Sequence, residues 1–358
     1  MTTRFLARGL ALLAASGLFI AGCGADDADD TPAQAAGGDG PTIAAAFYPL
    51  AFVAERVAGD HASVESLTQP GVESHDLELT GRQVGTVVDA DVVVYLEGYQ
   101  PAVDAAIEQD GSGVAFDVAT VVDLIPDDHD DHGHDDDHDD HGHDDDHDDH
   151  GHDDDHDDHG HDDDHDDHGH DDDHDDHGHD HDHGDLDGDP HLWLDPTNMA
   201  LIADGVADAL SDVDPDHADT YRANAEQLRA ELEELDDEYQ TGLAQCERTL
   251  IVVSHEAFGY LAHRYGLDQL GVAGIDPDAE PSAARVAQVH DTIREQNVTT
   301  IFYERLTSPD VVEAIAGDLG LETAVLDPIE GLTDETIDED YFSLMRSNLD
   351  ALRAANGC

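Results

Sequence analysis

The sequence holds 358 residues, with 88 Asp and Glu against 13 Lys and Arg, a formal net charge of −75 and 39% hydrophobic residues. A chain so acidic repels a phosphate backbone, which excludes nucleic acid as a partner, and it attracts metal cations. Every basic residue is Arg, and because the same acidity also suits adaptation to high salt, charge alone does not establish metal binding.

In chain order, Arg4 and Arg8 lead into an apolar run, Gly9 to Ala21, that is too short to span a bilayer as a stable helix and reads as a signal peptide over residues 1–22. It closes on Phe19-Ile20-Ala21-Gly22-Cys23, which looks like a lipobox and makes Cys23 the expected lipidation site. The alternative is a plain signal peptide with an incidental Cys. Gly24 to Gly40 is small, acidic and Pro-containing, as expected of a tether.

Next comes βαβ alternation, the pattern of a parallel sheet covered by helices. Strands are expected at Thr42–Phe47, Ala62–Leu67, Asp91–Leu96 and Val114–Val118, and helices at Pro49–Ala58, from the Thr80/Gln83 capping-box pair to Val88, and at Pro101–Gln109. Between Asp127 and Asp189 the chain is almost only Asp, His and Gly, and holds 34 of the 88 acidic residues. Its unit His-Asp-Asp-His-Gly-His-Asp-Asp-Asp starts at His129 and recurs at His138, His147, His156 and His165. Without an apolar face such a tract cannot offset the entropy of ordering, so it is expected to be a disordered insertion. Its imidazoles, His129, His132, His134, His138, His141 and His143 among them, suit zinc, copper or nickel as a loose accessory loop.

Beyond the tract, Thr197 is expected to cap a helix through Leu210, and a long amphipathic helix to run from about Pro215 to Ala244, with Tyr221, Ala225, Leu228, Leu232, Leu235 and Tyr239 on one stripe. The alternation then repeats. Strands are expected at Thr249–Ser254, Gln269–Ala273, Thr300–Tyr303 and Thr323–Leu326, and helices at Glu256–Tyr265, Ser282–Gln296, Pro309–Leu319 and Tyr341–Ala355. Cys246 and Cys358 form an even pair in an exported chain, so a disulfide is expected over two unrelated thiols.

Seven histidines lie outside the tract: His61, His75, His191, His217, His255, His263 and His290. His75 follows a strand and turn, His191 sits in Asp189-Pro190-His191-Leu192-Trp193-Leu194-Asp195-Pro196, and His255 directly follows a strand and opens a helix. In open α/β sheets ligands bind at the carboxyl ends of strands, an edge all three can reach. His263 falls about two helical turns after His255 and reads as a surface residue, and His61, His217 and His290 sit in ordinary loop or helix contexts with no role.

The segments Pro70-Gly71-Val72-Glu73-Ser74-His75-Asp76, Ala90-Asp91-Val92-Val93-Val94-Tyr95, Pro190 to Pro196, Ser254-His255-Glu256-Ala257-Phe258-Gly259-Tyr260-Leu261, Glu280-Pro281-Ser282 and Leu326-Asp327-Pro328 occur in an order that resembles the solute-binding lipoproteins of zinc and manganese ABC importers, the ZnuA/TroA-like group. The resemblance covers nearly all of the mature chain. It implies two Rossmann-like α/β lobes joined by a long rigid helix, with one metal in the cleft between them. The lobes would be residues 41–126 with 190–213, and 246–358, around an insertion at 127–189 and a connecting helix at 214–245.

The same resemblance carries His75, His191 and His255 over as ligands. Manganese-type members are expected to have a carboxylate where this chain has His255, and three imidazoles suit zinc. For the fourth ligand Asp327 ranks first, water second and Glu73 third. Asp76 and Asp195 are candidates to orient ligand imidazoles or, equally, to cap local turns, Glu304 faces the same edge as a partner for an Arg, and Trp193 reads as packing at the cleft.

The implied function is a monomeric extracytoplasmic receptor, anchored to the membrane only through lipid, that captures Zn2+ and passes it to an ABC permease. Alternatives are a receptor for manganese or another divalent ion, and a surface zinc buffer or adhesin acting through the tract. A zinc hydrolase is disfavoured, since no HExxH helix, nucleophile elbow or evident general base accompanies the histidines.

Overall fold

The computed structural model describes residues 40–75, 77–111, 113–126, 186 and 188–358. The signal peptide, Cys23, Asp76 and the accessory histidines His129, His132, His134, His138, His141 and His143 lie outside the described residues. Among those described, no helix is long and apolar enough to cross a membrane.

The β-branched runs at Val92–Tyr95 and Leu250–Val253 each form a strand with partners on both edges. Val92–Tyr95 (β3) is paired on both edges, in parallel with Thr42–Ala45 (β1) and with Val114–Asp117 (β4), and Ser63–Ser66 (β2) flanks β1. The order is β2-β1-β3-β4. The second half repeats it with Leu250–Val253 (β5), Asp268–Gly271 (β6), Thr300–Tyr303 (β7) and Glu322–Val325 (β8), in the order β6-β5-β7-β8, again all parallel. In each sheet the chain leaves its first strand to one side and then crosses back to the other. The crevice at the carboxyl ends of the strands, where that reversal falls, is the ligand-binding position of doubly wound folds. The chain is thus α/β with two lobes of one topology.

Helices Tyr48–Ala58 (α1), Gly81–Asp89 (α2) and Pro101–Asp110 (α3) serve the first sheet. The expected capping box at α2 is present: Thr80 accepts from Gln83 N, and the Gln83 side chain accepts from Thr80 N at 2.8 Å. Pro196–Val213 (α4) is capped by Asp195 rather than Thr197, because Asp195 Oδ1 accepts from both Thr197 N at 2.8 Å and Thr197 Oγ1 at 2.7 Å.

The long helix is Ala218–Leu243 (α5), 26 residues and about 39 Å. The six residues of the expected stripe are all buried. α5 packs along α1 and α4 and also touches Gly259–Tyr265 (α6) and Tyr341–Asn356 (α9), so it contacts helices of both lobes. Tyr239 Oη donates to Met345 O in α9 at 2.6 Å, and Arg346 pairs with Glu238 at 2.8 Å. Just beyond α5 and α9, Cys246 and Cys358 are joined by a disulfide. Ala283–Gln296 (α7) and Asp310–Leu319 (α8) complete the second layer.

One expected boundary differs in a way that matters. α6 begins at Gly259, not at Glu256. Glu256 N donates to Gly274 O at 2.8 Å and its carboxylate accepts from Gly271 N and Arg285, which ties this stretch to the loop after β6. His255 therefore stands on a strand-end loop and not in a helix.

Candidate metal centre

His75, His191 and His255 are each placed by a short segment tied down by local hydrogen bonds. In the loop after β2, Thr68 Oγ1 donates to Ala46 O at 2.9 Å, Gln100 Nε2 donates to Ser74 O at 2.7 Å, and Glu73 Oε2 accepts from His75 N at 2.9 Å. These bonds fix the approach of His75, whose ring lies edge-on to Tyr99 with centroids 4.8 Å apart. His191 opens a short 3₁₀ turn, Leu192–Leu194, and packs against the buried Trp193 at 5.3 Å. Phe47, Tyr99 and Trp193 meet at 5.0–5.8 Å to form an apolar wall behind the histidines. His255 follows Ser254 at the end of β5. The fourth group, Glu330, lies in the loop after β8, and its Oε2 accepts from Ser74 Oγ of the first lobe at 3.3 Å.

The ring nitrogens divide their tasks. Nδ1 of His191 is bonded to Asp189 Oδ1 at 2.8 Å and Nδ1 of His255 to Glu304 Oε1 at 2.6 Å. A carboxylate partner places the proton on Nδ1 and leaves the Nε2 lone pair for another ligand. The Nε2 atoms of His75, His191 and His255 lie 3.6, 3.4 and 3.6 Å from Glu330 Oε1, and those of His191 and His255 are 3.4 Å apart. All four donor atoms fall within 4.8 Å of one another. A tetrahedral zinc with bonds of about 2.0–2.1 Å requires donor–donor edges of about 3.3–3.4 Å. The three edges to Glu330 Oε1 and the His191–His255 edge, at 3.4–3.6 Å, are those of a zinc tetrahedron slightly expanded.

Burial sharpens the point. His191, His255 and Glu330 are buried and His75 is half-buried. His75 Nε2 and Glu330 Oε1 are buried without a hydrogen-bond partner, although buried polar atoms are seldom left so. A cation at the centre satisfies both. For His255, burial disfavours the charged form, but the Glu304 and Glu330 carboxylates outweigh it and push the imidazole up to about 10. His191 is also raised: desolvation opposes the charge, and Asp189 and Glu330 overcome it. Desolvation pushes the Glu330 carboxyl up, but the surrounding imidazoles of His191, His255 and His75 outweigh it and hold the group well below the usual carboxylate range. The cluster is arranged to hold positive charge.

The structure brings together the three histidines named from sequence and leaves out the carboxylates ranked for the fourth position. Asp327 is not in the donor group. Its Oδ1 accepts from Ile329 N at 2.8 Å and its Oδ2 pairs with Arg305 Nε at 3.2 Å. Burial pushes its carboxyl up, against the Ile329 bond and Arg305. Glu73 turns its Oε2 back on the His75 amide, as above.

Asp195 caps α4 and sits 3.2 Å from Arg264, so it orients no ligand imidazole. That task falls to Asp189 and Glu304, and Glu304 partners His255, not an Arg. His263 is exposed on α6, and His61 stacks on His217 at 4.2 Å. Glu330 was missed, although it is only three residues after Asp327. Nothing in Leu326-Asp327-Pro328-Ile329-Glu330 announces the turn that aims it, because the turn bends at Ile329 with φ 58, where a β-branched residue is not expected.

A family model described as zinc-uptake complex component A, periplasmic, matches residues 43–355. The high-affinity zinc uptake system protein ZnuA of Bacillus subtilis is 30% identical over 351 residues, covering 96% of this chain and 96% of the relative. The zinc-binding lipoprotein AdcA of Streptococcus pneumoniae is 30% identical over 318 residues and 87% of this chain, which spans only 55% of that longer relative. Among solved structures, the Zn(II)-bound ZnuA-like domain of Streptococcus pneumoniae AdcA superposes with a TM-score of 0.65 at 28% identity, over 89% of this chain and 100% of the domain.

Proposed function

The chain belongs to the zinc-uptake complex component A family, and from that premise we propose that it captures Zn2+ outside the cytoplasm and passes it to the permease of an ABC importer. The family is one of solute-binding receptors, not enzymes. Zinc is the cargo here. The observation that carries the reading is the convergence of three imidazole Nε2 atoms and one carboxylate oxygen at tetrahedral spacing. His75 and His191 come from the first lobe, and His255 and Glu330 from the second. One ion thus bridges the lobes, and separating them releases it.

The donor set favours zinc over manganese. Manganese seeks about six mostly oxygen donors, whereas three nitrogens and one oxygen in a buried site match zinc. Glu330 replaces Asp327 as the proposed fourth ligand, with Asp189 and Glu304 orienting His191 and His255.

Two further parts of the proposal rest on sequence. Cys23 would carry the lipid that tethers the receptor, as a monomer, to the outer face of the membrane. The Asp/His tract would collect zinc weakly at many sites. The described residues on its two sides meet where Asp189 N donates to Ile125 O at 2.9 Å, next to the segment that positions His191.

Metal content and zinc–manganese competition on protein lacking Asp127–Asp185 test the reading. One tight zinc, lost on His255→Ala, supports a receptor. Loss of nearly all binding with the tract, the site being untouched, would instead make the chain a surface buffer.

A further inference from the structure

The segment that delivers Glu330 is held in a conformation its own sequence does not favour. Ile329 is fully buried and has φ 58. For a β-branched residue the left-handed region is sterically poor, so neighbouring structure has to impose it. Three sets of bonds do so. Asp327 Oδ1 accepts from Ile329 N at 2.8 Å and closes the turn. The Asp327 peptide is pinned to Asn348 of α9, its N–H donating to Oδ1 at 2.8 Å and its carbonyl accepting from Nδ2 at 2.6 Å. Pro328 O accepts from Trp193 Nε1 at 2.7 Å, and Trp193 is the residue packed on His191. On the outer side Arg305 Nε holds Asp327 Oδ2 at 3.2 Å.

Resting on the reading of Glu330 as a ligand, we infer that Asp327 is a positioning residue that sets where the fourth donor stands and thereby the preference for a four-coordinate ion. Its carboxylate never needs to touch the metal. By stabilising the left-handed turn it directs the next residue into the cleft, where Glu330 Oε1 comes 3.4–3.6 Å from three imidazoles. If the acceptor is lost, Ile329 relaxes toward an ordinary φ, the chain at residue 330 swings, and the oxygen leaves the tetrahedron. The three imidazoles then remain as an open site that water can complete, one more tolerant of ions with larger shells.

The test uses the full chain with one equivalent of metal, so that the tightest site is read. Zinc affinity is measured against a chromophoric chelator, and geometry from the visible bands of bound Co(II), which are intense when four-coordinate. Asp327→Ala is expected to weaken zinc binding by about 10–100-fold, the range for residues that orient metal ligands, and to fade the cobalt bands. Asp327→Asn keeps an acceptor for Ile329 N and stays close to the parent. In a Glu330→Gln background Asp327→Ala should add nothing, because it acts through Glu330.

An Asp327→Ala loss of the same size with and without Glu330 would overturn the inference, as would Asp327→Ala that leaves affinity and spectrum unchanged while Glu330→Gln alters both. If Glu330→Gln itself changes neither, the ligand reading fails and takes this inference with it. Should Asp327→Ala not fold, Arg305→Gln loosens the same carboxylate from its exposed side and is judged in the same two backgrounds.

Discussion

Replacing Glu304 with Gln separates two opposing effects of a buried carboxylate on a metal site. Glu304 Oε1 bonds His255 Nδ1 at 2.6 Å and the residue is only 4% exposed. Its charge makes Nε2 a better donor to zinc, but it also contributes to holding the imidazole up to about 10. At pH 7 the metal-free His255 is therefore protonated, and zinc has to displace that proton. With three units between pH 7 and that value, the displacement costs about 4 kcal/mol. In Glu304→Gln the amide oxygen still fixes Nδ1–H, but the charge is gone and the imidazole falls toward its ordinary value.

Two outcomes follow for this variant. Intrinsic affinity drops about 10–100-fold, the usual effect of losing an orienting carboxylate. The number of protons released on zinc binding at pH 7 drops by about one. Calorimetry in buffers of different ionisation enthalpy reads both at once. A variant with unchanged proton release and unchanged affinity would refute the assignment of Glu304 as the partner that sets the state of His255.

Other consequences can be checked independently. Because His191 and His255 are both raised in the metal-free site, zinc affinity should increase with pH from 6 toward 10, by about a decade per unit for each proton displaced; a flat profile over that range would contradict the charge state described. In the metal-free protein the same upward shift means that stabilisation from the His255 imidazolium is full below about 6.5 and is lost as pH rises through about 10, so the parent should lose more stability over that interval than Glu304→Gln in chemical denaturation. Replacing Cys246 and Cys358 together by Ser, which opens a link spanning 112 residues, should lower the unfolding free energy by roughly 4–5 kcal/mol in the chain-entropy model, without moving zinc stoichiometry. Thr80→Ala removes the cap of α2 and should cost about 1 kcal/mol, read from the denaturation midpoint.

Much of the architecture was legible because local and global preferences agree. Asp91–Leu96 reads as a buried strand and forms one over Val92–Tyr95, and the α5 stripe from Tyr221 to Tyr239 is buried as its spacing predicts. Thr80 and Gln83 cap α2 as their spacing requires. The site was legible only in its histidines, which stand at strand ends where doubly wound sheets bind ligands. The carboxylates were not.

Glu304 reads as an acid at the ligand edge paired with an Arg, and Asp189 as one more of the 88 acids; only the fold shows that these two face an imidazole. Glu330 was hidden by Ile329, a residue whose intrinsic preference contradicts its φ of 58. The turn is imposed by Asn348 and Trp193, 21 and 135 residues away from their partners, contacts no window of sequence contains. Asp327, which has the right chemistry and the right neighbourhood, turns out to be occupied by Arg305 and by that turn.

The central claim is that one zinc is held by three imidazole Nε2 atoms and Glu330 Oε1. Anomalous diffraction at the zinc edge from crystals of the zinc-loaded protein tests it most directly. A single strong peak in the cleft is predicted, about 2.0–2.1 Å from Nε2 of His75, His191 and His255 and about 2.0–2.2 Å from Glu330 Oε1. A peak bonded to Asp327 instead of Glu330, or no peak among the three histidines, would contradict it.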